Sequence, residues 1–363
     1  MDAHLVELLS EMVERGASDL HLTAGERPKL RIDGNLTDSR AEGALDPEDT
    51  EALGRSMLSE EQRERFAGEP DFDFGFAIPG LSRFRANLFR QRGSVACAIR
   101  RVPVDIPSLR ELGVPSVVGR LADKPRGLVL VTGPTGSGKS TTLAAMVDRI
   151  NTARAGHIVT IEDPIEFVHP HKRCIVNQRE IGQDTPNFAS ALRYALRQDP
   201  DVILIGELRD PETIQAALTV AETGHLALGT LHTRSAAESI HRIIDAFAAH
   251  RQEQVRAQFA HVFEGVITQT LLRRARGGGR VVACEILVAT PAVRALIREA
   301  KVHQVHSAMQ AARRFGMRTL NDALHQLYVR RQVDFDECLR ITSDPAEFRR
   351  MASTTPAPDG SAR

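Results

Sequence analysis

The sequence predicts an α/β protein built around a mainly parallel, doubly wound sheet and preceded by a smaller α+β domain. From Gly127 onward, short apolar runs typical of buried strands alternate with stretches that have helical spacing. A glycine-rich loop at residues 133–140 lies between the first of these strands and the first helix. The pattern changes near residue 101, because the preceding segment alternates as antiparallel strands do.

Residues 1–101 are predicted to form the smaller domain. Apolar residues at helical spacing run from Leu5 to residue 15, and Gly16 ends that helix. A second helix is predicted over residues 47–66. The predicted strands are 20–22, 30–32, a run in which Phe72, Phe74 and Phe76 alternate with other residues, 84–89 and 95–99.

The rest of the chain divides into a linker, a larger domain and a tail. Four prolines between residues 101 and 127 predict a linker over 102–126, with short helical pieces at 109–112 and 116–121. The larger domain is predicted over 127–346, with strands at 128–131, 158–161, 202–205 and 226–229 and helices at 140–150, 187–197, 211–221 and 236–244. Residues 347–363 are small, polar and rich in proline, which predicts a disordered tail.

Composition disfavours several classes of protein. Lysine and arginine total 47 and the acids total 47, so no net charge draws the chain to nucleic acid. Tryptophan is absent and there are two tyrosines, which leaves few rings to stack on bases. There is no basic leader and no run of about 18 apolar residues, and the four cysteines are widely scattered. We therefore expect a cytoplasmic protein that is not inserted in a membrane and binds no nucleic acid.

The strongest functional signal is a match to the phosphate-binding loop G-x-x-x-x-G-K-[ST], followed by Thr141. The matching residues are Gly133, Pro134, Thr135, Gly136, Ser137, Gly138, Lys139 and Ser140. Glycines let successive backbone N–H groups converge on phosphate oxygens at a helix N-terminus. Lys139 is expected to reach the β- and γ-phosphates, and the Ser140 hydroxyl is expected to hold Mg²⁺. A structural glycine-rich turn is the weaker explanation, because all eight positions match in the required context.

Acidic residues follow two of the predicted strands. Glu162, Asp163 and Glu166 come after the strand at 158–161, where a carboxylate can orient or deprotonate an attacking water. Glu207 comes after the apolar run at 202–205, as the acid of a Walker B strand does, and would face Mg²⁺ or its water shell. The alternative for both clusters is a solvated turn at the end of a buried strand.

Histidines flank the strand at 226–229. Extended chain would separate His225 from His232 by about 23 Å, so the two cannot share one metal ion. His232 is a candidate sensor of the γ-phosphate, and His225 a candidate for a structural role or a subunit contact. For either histidine taken alone, an ordinary structural role is the simpler interpretation.

Arginines are concentrated in the last predicted strands of the smaller domain. They are Arg83, Arg85, Arg90, Arg92, Arg100 and Arg101. Guanidinium groups that reach a nucleotide held elsewhere would stabilise transition-state charge. The pattern alone favours a solvated basic edge instead.

Four segments in order resemble the Walker A, Asp box, Walker B and His box of the secretion ATPases of the type II/type IV pilus superfamily. They lie at residues 133–141, 160–167, 196–210 and 221–233. Within that superfamily the chain is similar to the pilus-retraction ATPases of twitching motility, over nearly its whole ordered length. The segments 16–22, 125–132 and 176–180 carry that similarity. The tetracysteine motif usual in extension and type II secretion ATPases is not present in this sequence.

The resemblance implies a homohexamer in which each PAS-like N-terminal domain packs on the RecA-like ATPase domain of a neighbour, with ATP at the hinge. It implies that Arg85 and Arg100 are arginine fingers, which reverses the interpretation drawn from the pattern alone. It also supports Glu162 as the base that activates water, Glu207 as the acid on the Mg²⁺ side, and His232 as the γ-phosphate sensor. The division of roles between the two glutamates stays open.

The retraction-linked motif Ala-Ile-Arg-Asn-Leu-Ile-Arg-Glu of the family appears at residues 292–299 with two substitutions, and Arg294 and Arg298 are kept. The resemblance thus implies a motor at the cytoplasmic face of the inner membrane, acting on the platform protein of a type IV pilus. An accessory pilus ATPase, a RecA-like nucleic-acid translocase and a non-hydrolysing, nucleotide-gated subunit are the alternatives.

Overall fold

The computed structural model describes residues 1–103 and 105–354, which divide into two compact units. The first unit comprises Met1–Asp105 together with Pro164–Val168, and the second comprises Ile106–Asp163 and the chain from His169 onward. Most of the segment predicted as a linker therefore lies in the second unit. Within the described residues, no helix is long and apolar enough to cross a bilayer.

The first unit is a six-stranded antiparallel sheet with three helices. In chain order its elements are α1 (Ala3–Glu14), β1 (Asp19–Leu22), β2 (Lys29–Ile32), β3 (Asn35–Asp38), α2 (Pro47–Ser56), α3 (Glu60–Gly68), β4 (Asp71–Ile78), β5 (Ser82–Gln91) and β6 (Ser94–Arg101). The strand order is β3-β2-β1-β6-β5-β4. Its core includes Leu5, Leu20, Phe84 and Leu88, all fully buried. The predicted α+β domain is confirmed.

The prediction of a single helix over residues 47–66 is wrong, because the chain forms two helices there. Helix α2 ends at Ser56, and Ser59 begins a new helix as its N-cap. The Gln62 backbone N–H donates to Ser59 Oγ at 3.2 Å, and the Ser59 N–H donates to Gln62 Oε1 at 3.0 Å. This reciprocal capping box stabilises the start of a new helix at Ser59, in preference to continuation of α2.

The second unit is organised around a seven-stranded sheet. Its elements up to the last strand are α4 (Ser116–Ala122), β7 (Gly127–Thr132), α5 (Lys139–Ala153), β8 (Gly156–Glu162), β9 (Cys174–Glu180), α6 (Phe188–Ala195), β10 (Val202–Ile205), α7 (Pro211–Glu222), β11 (Leu226–Leu231), α8 (Ala236–Asp245), α9 (Ala249–Val262), β12 (Phe263–Arg273) and β13 (Arg280–Val288). The strand order is β13-β12-β7-β11-β10-β8-β9, and only β12 and β13 pair antiparallel. The mainly parallel sheet predicted from the sequence is confirmed.

The sheet is covered on both faces, as a doubly wound fold requires. In β7, Leu128 and Leu130 contribute to one buried cluster, which includes residues of α7 and α8. The alternate residues Val129 and Val131 contribute to the other, which includes residues of α4 and α5. Because residues 128–131 of β7 are apolar on both faces of the strand, β7 fits only between two layers of helices.

The prediction of a disordered tail from residue 347 is wrong for its first residues, because residues 347–353 belong to a helix. The last elements are α10 (Pro291–Arg298), α11 (Val305–Ala311), α12 (Leu320–Val329), α13 (Phe335–Ile341) and α14 (Pro345–Ser353). Asp344 caps α14 by accepting from the Glu347 N–H at 2.9 Å, and the fully buried Phe348 packs against Tyr328 and Phe335. A buried aromatic ring and hydrogen bonds from Gln310 and Asn321 thus hold a largely polar helix in place. Residues 355–363 lie outside the described part of the chain.

Candidate nucleotide-binding site

The phosphate loop, Glu162, Glu207 and His232 lie at one edge of the sheet, at the carboxyl ends of parallel strands. In register, Thr132 pairs with Leu231, and Ile161 pairs with Ile205. The next residues along the chain are Gly133 of the phosphate loop, His232 and Glu162, and Glu207 lies two residues after β10. Open α/β sheets bind their ligands at this edge.

Backbone geometry explains the glycines of the phosphate loop. Gly133 has φ 140°, and a Cβ at this position would lie 2.3 Å from the Gln269 carbonyl oxygen and 2.6 Å from Ser137 Oγ. Gly138 is the N-cap of α5, with φ 86°. No larger residue fits at Gly133, and a side chain at Gly138 would be strained. The loop therefore delivers its backbone N–H groups at the N-terminus of α5, where an anion is favoured.

Lys139, His232 and Glu207 form a continuous polar chain across this edge. Lys139 Nζ donates to the carbonyl oxygens of Gly133 at 2.9 Å and Pro134 at 3.2 Å, and lies 3.5 Å from His232 Nδ1. His232 Nε2 lies 3.4 Å from Glu207 Oε1. The other Glu207 oxygen pairs with Arg209 Nε at 2.7 Å. Charged groups from three strand ends are thus held within direct reach of one another.

Oxygen donors suited to Mg²⁺ flank this chain. Ser140 follows Lys139 in the first turn of α5, and Glu207 presents a carboxylate that is about one-fifth exposed. Mg²⁺ in phosphoryl-transfer sites keeps several waters and takes one or two protein oxygens besides those of the phosphates. A hydroxyl and a carboxylate beside the loop match that requirement, so the residues present fit the ion.

Glu162 is held by two neighbours that sequence analysis did not assign. Its Oε1 accepts from Thr160 Oγ1 at 2.6 Å and from Gln178 Nε2 at 3.2 Å. Thr160 and Gln178 face each other across the β8–β9 pair. The amide oxygen of Gln178 accepts from the His169 backbone N–H at 2.8 Å, which fixes the direction in which the amide points. The segment 176–180 carried the family resemblance, but nothing in it marked Gln178 as a support for Glu162.

The buried imidazole of His169 gives the stability of the fold a pH dependence. Burial lowers the pKa of His169 from 6.5 to about 4, and its Nδ1 has no hydrogen-bond partner. The unfolded chain therefore takes up a proton below about pH 6.5 that the folded chain refuses until about pH 4. We expect the free energy of unfolding to fall by about 3 kcal/mol over that interval because of this one group. Chemical denaturation of wild type and His169→Asn between pH 7 and pH 4 measures it, and equal slopes would contradict the assignment.

Asp163 and Glu166, the other two acids predicted after this strand, belong to different units. Asp163 is exposed, and Glu166 is an exposed residue of Pro164–Val168, the segment that belongs to the first unit. Glu162 is the last residue of β8, whereas Asp163 follows the strand. Glu162 is therefore the acid that the strand itself holds at the carboxyl edge.

His225, Arg294 and Arg298 lie away from the phosphate loop. His225 Nδ1 lies 3.1 Å from the Val220 carbonyl oxygen and 3.0 Å from Thr223 Oγ1, so it supports the end of α7. Arg294 donates to the carbonyl oxygen of Ala260 at 2.8 Å and to Glu264 Oε1 at 2.6 Å. Arg298, on the same helix, is exposed. These contacts favour the structural alternative for His225 and give Arg294 a structural role.

A cavity of about 360 Å³ adjoins the phosphate loop and was not anticipated from the sequence. Ser137, Gly138, Thr141 and Thr142 form its wall on the loop side. The opposite walls combine the apolar residues Leu271, Val281, Val282, Ala323 and Leu327 with the guanidinium groups of Arg274, Arg280, Arg318 and Arg330. Its size and mixed lining suit a nucleoside attached to phosphates held by the loop. Its walls come from β12, β13 and α12, which no short motif could connect.

In the first unit, four charged residues form a row across adjacent strands. The registers place Arg85 opposite Arg100, Arg100 opposite Asp19, and Asp19 opposite Arg31. Asp19 Oδ1 accepts from Arg100 Nε at 2.8 Å, and Asp19 Oδ2 lies 3.9 Å from Arg31 Nε. Burial alone would raise the pKa of Asp19, but hydrogen bonds from Ser18 and Arg100 bring it below its ordinary value. Directly opposed like charges repel, so this one carboxylate stabilises the row.

Comparison with known proteins identifies the family. The family model described as type II/IV secretion system protein matches residues 104–340, more than half of the chain. The chain belongs to this family. The resemblance seen in the four sequence motifs is thereby confirmed, and the parallel sheet with its phosphate loop is the fold expected of the family's members.

Individual relatives match over almost the whole chain. PilT of Pseudomonas aeruginosa, a type IV pilus retraction ATPase, is 48% identical over 344 residues, which are 95% of this chain and 99% of PilT. PilU of the same organism, a type IV pilus ATPase, is 41% identical over 345 residues, 95% of this chain and 90% of PilU. The crystal structure of the pilus retraction motor PilT with bound ADP matches with a TM-score of 0.88 and 50% identity, covering 95% of this chain and 98% of that one.

Proposed function

We propose that this chain is a motor ATPase that powers the retraction of type IV pili in twitching motility. The observation that carries the proposal is the meeting of Lys139, His232, Glu207 and Glu162 beside the phosphate loop. A lysine, a histidine and two carboxylates beside a phosphate-binding loop are the residues that a nucleoside triphosphatase needs. The likeness to PilT over 95% of the chain supports pilus retraction as the work that hydrolysis drives.

In the proposed reaction, the loop N–H groups and Lys139 bind the β- and γ-phosphates of ATP. Glu162 takes a proton from the attacking water, and its oxygens stay directed because Thr160 and Gln178 donate to Oε1. Ser140 and Glu207 would hold Mg²⁺, which would supply positive charge to the phosphate oxygens. His232, which lies between Lys139 and Glu207, is placed to respond to the presence of the γ-phosphate.

We assign the completing positive charge to Arg85 and Arg100, supplied by a neighbouring subunit of a homohexamer. Of the six arginines singled out in the sequence, these two face each other across β5 and β6. Their guanidinium groups repel, which favours an anion between or beside them. The ring would act at the cytoplasmic face of the inner membrane, on the platform protein of the pilus.

Asp19 is expected to matter for this chemistry as a positioning residue. Asp19→Asn keeps the side-chain size but removes the charge that holds Arg100, so we expect kcat for ATP to fall roughly tenfold with little change in KM. Steady-state phosphate release by the assembled protein measures both constants. The matched control is Asp71→Asn, an exposed carboxylate on β4 of the same unit. An unchanged kcat, or a rise in KM alone, would contradict this role.

The biological role is tested in the organism that encodes the chain. A deletion strain should carry excess surface pili and lose twitching, because extended pili would no longer be withdrawn. Complementation with the wild-type gene should restore both properties, whereas a Lys139→Ala gene should restore neither. Normal pilus number and normal twitching after deletion would overturn the proposal and favour an accessory pilus ATPase.

A further inference from the structure

A second cavity of the same unit, of about 410 Å³, opens on the surface and is lined by arginines. We call it the arginine pocket. Its charged lining consists of Arg120, Arg313, Arg314 and Arg318, and its apolar lining includes Val117 and Met317. No residue of the phosphate loop borders it, and none of the motif residues discussed above belongs to it.

The arginines are held in place by the chain around them. Gly316, with φ 90°, brings its loop so close to α4 that an added Cβ would lie 2.8 Å from Arg120 Nη2 and 3.0 Å from Val117 Cβ. Arg120 Nη2 donates to the Phe315 carbonyl oxygen at 3.1 Å. The Arg314 guanidinium lies over the Phe315 ring, 4.8 Å from its centroid. The pocket is therefore a formed feature of the fold with its cations already oriented.

Positive charge in the pocket is poorly compensated. Arg313 pairs with Asp322, its Nη2 lying 2.6 Å from Oδ1. Within the described chain, no carboxylate lies within salt-bridge distance of Arg120, Arg314 or Arg318. Arg318 is half-buried and donates to the neutral Gln326, and burial lowers its pKa. Asp322, the ion-pair partner of Arg313, also attracts Arg318 without pairing with it, so one carboxylate faces several guanidinium groups. This excess of positive charge favours an anion in the pocket.

We propose that the arginine pocket binds a phosphate group of a small ligand or of a lipid headgroup. Guanidinium forks match phosphate oxygens in pairs, and this pocket offers several within one concave surface. Its volume is within the range of small-molecule sites, and the apolar wall can cover a non-polar part of the ligand. The proposal does not rest on the proposed function, because the pocket requires neither hydrolysis nor pilus assembly.

The pocket also has a route to the nucleotide site. Arg318 and Gln326 line both the arginine pocket and the cavity beside the phosphate loop. An anion that draws the Arg318 guanidinium outward removes a cation from the wall of the nucleotide cavity. Occupation of the arginine pocket is thus expected to lower the affinity of the chain for ADP, and ADP to oppose the anion equally, since coupling is reciprocal.

The test uses full-length Lys139→Ala protein, in which anion binding at the phosphate loop is weakened. Calorimetric titration with pyrophosphate measures binding of a soluble phosphate compound. Co-sedimentation with phosphatidylglycerol vesicles measures binding of a lipid headgroup, and pure phosphatidylcholine vesicles are the comparison. Arg313→Gln and Arg314→Gln, introduced together into the Lys139→Ala protein, should weaken binding by about tenfold or more in whichever of the two experiments detects it. Arg314→Gln alone, at an exposed side chain, provides a variant that does not disturb the Arg313–Asp322 pair.

The matched control carries Arg349→Gln and Arg350→Gln, which remove the same charge from exposed positions on α14. Binding by this control should equal that of the Lys139→Ala parent. Binding that depends on Arg314 in either arm supports the proposal and identifies the source of the phosphate. Absence of binding in both arms, or an equal loss in the α14 control, would overturn it.

Discussion

Lys139→Ala is expected to lower the rate of ATP hydrolysis by about 10³-fold and to weaken nucleotide binding. The Lys139 ammonium is the cation that the phosphate loop holds at its own centre, 2.9 Å from the Gly133 carbonyl oxygen. Since Lys139 is largely buried, water replaces its charge poorly when the side chain is shortened. Phosphate release and fluorescent-ADP binding on the purified chain measure the two losses.

Lys301→Ala is the matched control for this experiment. Lys301 is half exposed and pairs with Glu299 at 2.8 Å, remote in sequence from every motif of the site. Its removal should leave hydrolysis within about twofold of wild type, because exposed ion pairs contribute little. Wild-type turnover in Lys139→Ala would exclude the loop as the nucleotide site and would remove the basis of the proposed ATPase activity.

Glu162→Gln is expected to lower kcat by about 10²- to 10⁴-fold while nucleotide binding is retained. The amide keeps the shape of the side chain but cannot take a proton from water. Glu207→Gln provides the comparison: removal of that charge from the Mg²⁺ side should raise the concentration of Mg²⁺ needed for half-maximal activity. The two variants therefore separate the roles that sequence analysis left open between the glutamates.

Rates measured over a range of Mg²⁺ concentrations at saturating ATP distinguish the outcomes. Loss of kcat in Glu162→Gln that Mg²⁺ does not rescue supports Glu162 as the base. The opposite pattern, with Glu207→Gln inactive at every Mg²⁺ concentration and Glu162→Gln rescued by the ion, would exchange the two assignments. Gln178→Leu should reproduce part of the Glu162→Gln loss, since it removes one of the donors to Glu162 Oε1.

The sequence was sufficient for the part of the site that depends on local patterns. An eight-residue motif located the phosphate loop, and apolar runs ending in Glu162, Glu207 or His232 located the other strand ends. Parallel pairing then required these ends to meet, because every such strand presents its carboxyl end at the same edge. The strands β9, β12 and β13 were not predicted, since their polar residues alternate less clearly with apolar ones.

Local patterns also failed where contacts with distant residues decided the outcome. The segment after residue 346 carries few apolar residues, yet Phe348 packs against Tyr328 and Phe335, and Asn321 Nδ2 donates to the Asp344 carbonyl oxygen at 3.1 Å. Burial of a large ring contributes on the order of 2 kcal/mol, enough to order a short capped helix. Residues 345–353 alone do not show which distant residues pack around Phe348.

By itself, the sequence determined the family and the α/β class and located the residues proposed to approach phosphate, because each is encoded in short segments whose meaning does not depend on distant neighbours. Tertiary structure alone decided which arginines are paired: Arg100 meets Asp19 across 81 positions, and Arg120 meets Phe315 across 195. It also formed the nucleotide cavity and the arginine pocket. Those features arise from contacts between residues far apart in the chain, which only the folded backbone brings within reach of hydrogen bonds and Coulomb forces.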